Sequence, residues 1–179
     1  MIRTLSLLFF FSLTHLGLLG KPFHVYSPSS KENTLWIVKA IPKGESLDLQ
    51  VAKKVKFDFS GRVITAHPSK PLLYVTATGG DPGKVPGAVV FLNKDGSYQK
   101  HQNINFNDGA CFLSLDKENR HILGVSYGNG RLNVYPLDDQ GIPGKAVTTI
   151  DEGKKEAHCV LLPPDGKNVY IPYVKGNLA

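Results

Sequence analysis

After residue 20, apolar and polar positions alternate in short runs, and turns rich in glycine, proline, asparagine and aspartate separate these runs. Alternation of this kind predicts β-strands that are buried on one side. No stretch keeps the apolar period of about 3.6 residues that indicates an amphipathic helix. The pattern therefore predicts an all-β fold with few helices.

A unit of strand, polar turn and strand occurs three times, and a shift of 48 residues aligns the three copies without gaps. The copies are residues 62–75, 110–123 and 158–171. Turn-forming residues lie at equivalent places in all three, at positions 68–69, 116–117 and 164–166. A repeat of about 40 to 50 residues made of strands is typical of β-propeller blades.

Two of the copies continue into a second pair of strands. The predicted third strands are residues 87–92 and 131–137, and the predicted fourth strands are residues 97–100 and 146–150. Asp95-Gly96 provides a hairpin signal between the first of these pairs. Four antiparallel strands per unit make a propeller blade, so we expect four-stranded antiparallel sheets.

The two ends of the repeat are incomplete. Residues 23–26, 34–40 and 47–52 predict the second, third and fourth strands of a first unit that lacks its inner strand. The chain stops where the third strand of the last unit should begin. We therefore expect an incomplete propeller of about three blades out of seven, the N-terminal part of a longer protein. Such an arc would expose apolar blade faces, and we expect this fragment alone to be inactive.

The first 20 residues form a separate targeting segment. A basic start with Arg3 precedes a leucine- and phenylalanine-rich stretch that Thr14 and His15 interrupt. This is the organisation of a signal peptide, and the stretch is too short for a comfortable membrane span. We expect residues 1–20 to direct export to the periplasm or the medium, with an uncleaved anchor as the alternative, and residues 21–179 to form the propeller.

Charge and cysteine content exclude several classes of function. The formal net charge is +6, but the 21 lysines and arginines are dispersed without a run of five, so we expect no nucleic-acid partner. The two cysteines form no CxxC pair and no His/Cys cluster, so we expect no metal and no cofactor. Cys111 and Cys159 coincide under the 48-residue shift and lie in apolar runs, which favours equivalent core positions; whether they pair stays open, as does the oligomeric state.

Two stretches, residues 123–134 and 156–172, resemble the seven-bladed lactonase propellers. That family includes bacterial 6-phosphogluconolactonases and fungal carboxymuconate cyclases. The resemblance implies opening or closing of a lactone ring at the mouth of the central channel. It also implies a catalytic role for His158, which stands where the family carries a histidine. The acidic and arginine partners of the cyclase-like members would lie beyond residue 179.

Blade geometry predicts which loops share a face with His158. Loops that enter an inner strand and loops that join second to third strands emerge on the same side of a blade. This side collects cations and polar groups that suit a small anionic lactone, and a histidine there can move a proton near neutral pH. The predicted substrate-binding residues are Arg62, Tyr127, Asn129, Arg131 and Lys175.

Other chemically suggestive residues favour structural roles. Residues 124–128 match the G-x-S-x-G pattern, but a nucleophile elbow needs a following helix and a strand follows Ser126 here. Histidines 67 and 121 are predicted at the opposite face as surface or packing residues. Trp36, Tyr74 and Tyr170 are predicted to be buried between blades.

Two functions remain in competition. The leading interpretation is a lactone hydrolase that acts on an anionic sugar lactone, although export argues against a cytosolic sugar phosphate as its substrate. The alternative is a non-catalytic exported propeller that binds a protein or a glycan, because one fold hosts many functions.

Overall fold

The computed structural model describes residues 20–174, and these residues form three antiparallel β-sheets from eleven strands. The first sheet has three strands: β1 (Phe23–Ser29), β2 (Thr34–Lys43) and β3 (Ser46–Lys56). The second has four: β4 (Val63–Ala66), β5 (Leu72–Thr76), β6 (Val85–Leu92) and β7 (Tyr98–Phe106). The third has four: β8 (Phe112–Leu115), β9 (His121–Val125), β10 (Leu132–Pro136) and β11 (Thr148–Ile150).

Strand order confirms the predicted repeat. Each sheet pairs its strands in chain order, from β4 to β7 in the second sheet and from β8 to β11 in the third. The inner strands β4 and β8 approach each other, so neighbouring sheets stand side by side. The described residues contain no helix. This is an incomplete β-propeller, as the sequence predicted.

The core lies between the sheets. Leu35 and Ile37 on β2 are fully buried and share a core with Tyr74 and Val89 of the second sheet and Ile122 of the third. A second cluster joins the third sheet to the segment after residue 156. Apolar side chains that alternate along each strand therefore reach neighbours in the next sheet.

The opposite face of the first sheet is uncovered within residues 20–174. Register places Val25, Val38 and Val51 in one row across the sheet, and Phe23, Ala40 and Leu49 in the next. Leu49 is 61% exposed and Val51 55% exposed. We call this the open face; its exposed members are Phe23, Val25, Leu47, Leu49 and Val51, whereas Val38 in the same rows is half-buried and Ala40 is buried.

The last predicted strand pair is only partly formed. Residues 157–173 make two isolated antiparallel bridges, Ala157 with Tyr173 and Leu161 with Tyr170, instead of regular strands. The prediction of two continuous strands over residues 158–171 was therefore wrong. Pro163, Pro164 and Pro172 cannot donate ladder hydrogen bonds, and no third strand among the described residues pairs with this segment.

Several predictions of burial need correction. Tyr74 is fully buried as predicted, but Trp36 is only half-buried because it lies toward the open face, under the ammonium group of Lys54. Tyr170 is 45% exposed, because its segment lacks a neighbouring strand within the described residues. Cys111 and Cys159 are both half-buried, and Cys111 packs against the second core cluster, so the expectation of core positions is confirmed only in part.

Candidate active site

The predicted grouping of loops on one face agrees with the backbone contacts. The amide of Gly83, in the loop between β5 and β6, donates to the carbonyl of Asn107, which lies before β8. One sheet further on, the amide of Glu156 donates to the carbonyl of Tyr127, in the loop between β9 and β10. Each loop after a second strand thus contacts the segment that enters the next unit, and this surface is the candidate site.

His158 lies on this surface and contacts Tyr127. The two rings meet edge to face, with centroids 6.1 Å apart and an interplanar angle of 79°. The backbone amide of His158 donates to the carbonyl of Pro172 at 3.0 Å, which anchors the residue at the segment entering the fourth unit. Both side chains are exposed, and within residues 20–174 neither imidazole nitrogen has a hydrogen-bond partner. The imidazole is therefore oriented by a ring contact while its nitrogens face solvent.

A second group of polar side chains converges on Asp108. Its Oδ1 accepts a hydrogen bond from the side-chain amide of Asn129, and its Oδ2 accepts one from Asn133, each at 2.8 Å. The Asp108 side chain is only 9% exposed. Thr149 donates in turn to the side-chain oxygen of Asn133 at 2.7 Å. This network ties the loop before β8 to strands β10 and β11.

Arg131 extends the network toward solvent. Its Nε donates to Oδ2 of Asp151 at 2.8 Å, and one terminal nitrogen lies 4.0 Å from Asp108. The hydrogen bond to Asp151, followed by the charges of Asp151 and Asp108, raises the pKa of Arg131. The same hydrogen bond lowers the pKa of Asp151. Arg131 and Asp108 line a cleft of about 200 Å³, together with Pro82, Gly83 and Asn107.

The structure brings the predicted site residues together in two pairs. Tyr127 contacts His158, and Asn129 accepts a hydrogen bond from the backbone amide of Arg131. Arg62 stands before β4; its amide donates to Thr76, and its exposed guanidinium has no hydrogen bond or ion pair within residues 20–174. Lys175 lies outside the described residues.

The sequence predicts Asp108 on the same face as His158 but assigns it no role, and it did not identify Asn133 or Asp151 as members of the site. For Asn133 the sequence did carry a signal of burial, because this residue stands between Leu132 and Val134 in a predicted strand. In the structure Asn133 is 2% exposed. A buried amide requires hydrogen-bond partners, so a nearby polar residue was to be expected. The choice of Asp108 as that partner depends on tertiary packing.

Histidines 67 and 121 have structural roles. His67 is 5% exposed, and its Nδ1 accepts hydrogen bonds from the amides of Ser69 and Lys70 in the turn after β4. His121 contacts Asp116 through Nδ1 at 2.8 Å. Ser126 is buried, and its loop leads into strand β10, so it stands in no nucleophile elbow.

Residues 20–174 contain no group of three or more histidine, cysteine, aspartate or glutamate side chains that could hold a metal ion. They also contain no helix long and apolar enough to cross a membrane.

Comparison with known proteins identifies similar sequences. The family model "Lactonase, 7-bladed beta-propeller" matches residues 29–175. A 6-phosphogluconolactonase of Cronobacter sakazakii is 28% identical over 153 residues, which cover 84% of this chain and 43% of that protein. One from Klebsiella pneumoniae subsp. pneumoniae is 27% identical over 151 residues, covering 83% and 42%. The chain therefore spans less than half the length of these curated relatives.

Solved structures share the fold at low identity. The periplasmic gluconolactonase PpgL of Pseudomonas aeruginosa superposes with a TM-score of 0.69 at 15% identity, over 85% of this chain and 47% of its own. Hydrazine synthase of Kuenenia stuttgartiensis superposes with a TM-score of 0.55 at 18% identity, over 92% of this chain and 46% of its own. Since these two proteins carry different names for their activities, likeness at this level establishes the architecture alone.

Proposed function

This chain belongs to the seven-bladed β-propeller lactonase family, and from that premise we propose that it contributes to a hydrolase that opens an anionic sugar lactone at the channel mouth. The observation that carries the proposal is the solvent-facing imidazole of His158, held edge-on by Tyr127 on the face where neighbouring units meet. The relatives named 6-phosphogluconolactonase support the choice of a lactone as substrate. The activity of the whole protein is part of the proposal, because the chain covers less than half of those relatives.

The proposed reaction is a proton transfer coupled to attack by water. A water molecule attacks the carbonyl carbon of the lactone while neutral His158 accepts its proton through an unprotonated ring nitrogen. The ester oxygen of the ring then leaves and takes up a proton, which yields the open hydroxy acid. His158 suits this role because its nitrogens are free of hydrogen bonds within the described residues.

The negative charge that develops on the carbonyl oxygen needs a hydrogen-bond donor. Tyr127 is the better candidate, since its ring contacts His158 and it is 43% exposed. Asn129 already donates one amide hydrogen to Asp108, which fixes its orientation and leaves it one donor. We therefore assign the oxyanion contact to Tyr127 and a positioning role to Asn129.

The cations differ in their availability to an anionic group of the substrate. Arg131 is engaged by Asp151, and Lys154 pairs with Glu152 at 3.2 Å. Within residues 20–174, Arg62 and Lys155 are exposed and have no acidic partner. We assign anion binding to Arg62 first, with Lys175 as an additional candidate from the sequence.

The test is a lactonase assay of the full-length protein with matched substrates. Gluconolactone and its 6-phosphate ester share the same ring and differ in one anionic group, so their ratio of kcat/KM measures the preference for charge. We expect the phosphorylated lactone, or a lactone with a carboxylate in the same place, to be preferred. Arg62→Gln should reduce that ratio without abolishing turnover of the neutral lactone. Equal rates for charged and neutral lactones would exclude the anionic substrate.

His158→Ala should lower kcat/KM at least about tenfold, a minimum set below the roughly 10²–10⁴-fold that a general acid or base typically contributes. His121→Ala on the opposite face is the matched control, and we expect its activity to stay near that of the unmodified protein. An unchanged rate in His158→Ala would remove this residue from the mechanism. If the full-length protein hydrolyses no lactone, the result favours the alternative, a non-catalytic propeller that binds a protein or a glycan.

We also propose that the protein is exported. Residues 1–20 have the organisation of a signal peptide, and PpgL, a structural neighbour, is described as periplasmic. Cell fractionation with N-terminal sequencing tests this, and we expect the protein outside the cytoplasm. Recovery in the cytoplasm with Met1 retained would contradict it.

A further inference from the structure

The two cysteines lie at equivalent positions of neighbouring units, next to the candidate site. Cys111 directly precedes β8, and Cys159 follows His158 at the entry to the fourth unit. They are separated by one repeat of 48 residues. In a propeller, equivalent residues of adjacent blades lie beside each other at the same height along the channel.

Side-chain contacts place the Cys111 thiol against the segment that carries Cys159. Its Sγ donates to the carbonyl of Ala157 at 3.0 Å and to that of Val125 at 3.3 Å. It also lies 3.6 Å from the carbonyl oxygen of His158, which belongs to the peptide group that joins His158 to Cys159. The sulfur of Cys111 therefore contacts the peptide group that Cys159 shares with His158.

Two further observations concern the chemistry of the thiols. Both cysteines are half-buried, so neither residue is fully enclosed by the described part of the chain. Burial is the main reason that the pKa of Cys111 is raised, and the charge of a Cys159 thiolate raises it further.

We propose that Cys111 and Cys159 form a disulfide bond within one chain when a disulfide oxidant such as oxidised glutathione is supplied. The Cys159 thiolate attacks one sulfur of the oxidant, and the first glutathione thiolate leaves. The Cys111 thiolate then attacks the Cys159 sulfur of the mixed disulfide, and the second glutathione leaves. Two protein thiols are oxidised and one glutathione disulfide is reduced to two glutathione thiols; the two protons that the protein thiols lose pass through solvent to the departing glutathione thiolates.

The bond would join the third sheet to the segment entering the fourth unit. That segment makes only isolated bridges, and it carries His158. A cross-link closing a long loop restricts the unfolded chain and so favours the folded state. This inference goes beyond the proposed function and does not depend on it.

The experiment oxidises the folded chain with oxidised glutathione, blocks remaining thiols with an alkylating agent, and maps peptides without reduction. We expect one cross-linked peptide pair containing Cys111 and Cys159, no disulfide-linked dimer on a non-reducing gel, and a higher Tm than in dithiothreitol. Cys111→Ser should leave a stable mixed disulfide of glutathione on Cys159 and should lose the Tm difference.

Cys159→Ser is the matched control for Cys111→Ser, and both variants should match the unmodified chain in Tm under reducing conditions. If both cysteines of the unmodified chain are alkylated after oxidation, or if each carries its own glutathione, the proposal is overturned. A disulfide found only between two chains would overturn it as well.

Discussion

The two faces of the first sheet have the same sequence pattern and different environments. Leu35 and Ile37 point from β2 into the core shared with the second sheet and are fully buried. On the open face, Leu47, Leu49 and Val51 of β3 are more than half exposed. Alternation along a strand decides which face a side chain occupies, whereas the neighbouring sheet decides whether that face is covered. The apolar residues of a propeller blade contribute stability only where another blade packs on them.

The first test has the largest expected effect, and it compares one truncated side chain on each face of the first sheet. Ile37→Ala should destabilise the fold by about 2–5 kcal/mol, because it removes buried contacts and leaves a cavity. Leu49→Ala on the open face should change the free energy of unfolding by less than about 0.5 kcal/mol, as surface substitutions usually do. Urea unfolding measures both. Equal losses in the two variants would mean that the open face is covered in solution.

The second test compares a buried with an exposed carboxylate of the candidate site. Asp108→Ala should cost about 2–3 kcal/mol, since the buried amide of Asn133 and the half-buried amide of Asn129 would lose a charged acceptor. Asp151→Ala should cost much less than Asp108→Ala, because its ion pair with Arg131 is exposed and solvent weakens it. Thermal unfolding at several salt concentrations checks this, and a cost for Asp151→Ala as large as that for Asp108→Ala would refute it.

A third test concerns the close contact between the second and third sheets. A Cβ at Gly109 would overlap the backbone of Thr78, whereas one at Gly79 would meet nothing within 4 Å. Gly109→Ala should therefore cost about 1–3 kcal/mol through overpacking. Gly79→Ala should be near neutral. If denaturant midpoints of the two variants agree, the two loops are not in the contact described here.

The fourth test has the smallest expected difference between a variant and its control, and it concerns Trp36, which lies toward the open face. The ammonium group of Lys54 lies 3.7 Å from the centre of the Trp36 ring. Lys54→Gln should cost about 0.5–1 kcal/mol, the usual value of an exposed cation–π contact, and should alter tryptophan fluorescence. Lys39→Gln, an exposed lysine on the other face of β2, is the control. A fluorescence spectrum unchanged by Lys54→Gln would contradict this contact.

The 48-residue repeat made the architecture predictable from the sequence, but the ends of the individual strands could not be predicted as well. Strand β7 runs from Tyr98 to Phe106, whereas residues 97–100 were predicted, because residues 101–105 are mostly polar. Polar side chains are acceptable there since β7 is the edge strand of its sheet and most of its residues are exposed. An apolar pattern marks strands that are buried on at least one face, and it marks edge strands poorly.

The candidate site was predictable only in part. Topology sufficed to place Tyr127 and His158 on one face, because equivalent loops of each unit emerge together. The network around Asp108 joins residues more than 20 positions apart through single hydrogen bonds. No local pattern encodes such partners, because the pairing depends on how β8 and β10 are packed.

Chemical rescue tests the role of His158 most directly. In the full-length protein, His158→Ala creates space at the position of the lost imidazole, so added free imidazole should restore lactone hydrolysis in a saturable manner. His121→Ala should show no such dependence on imidazole. The proposed mechanism predicts rescue in His158→Ala alone; an unimpaired His158→Ala enzyme, or equal stimulation of both variants, would contradict it.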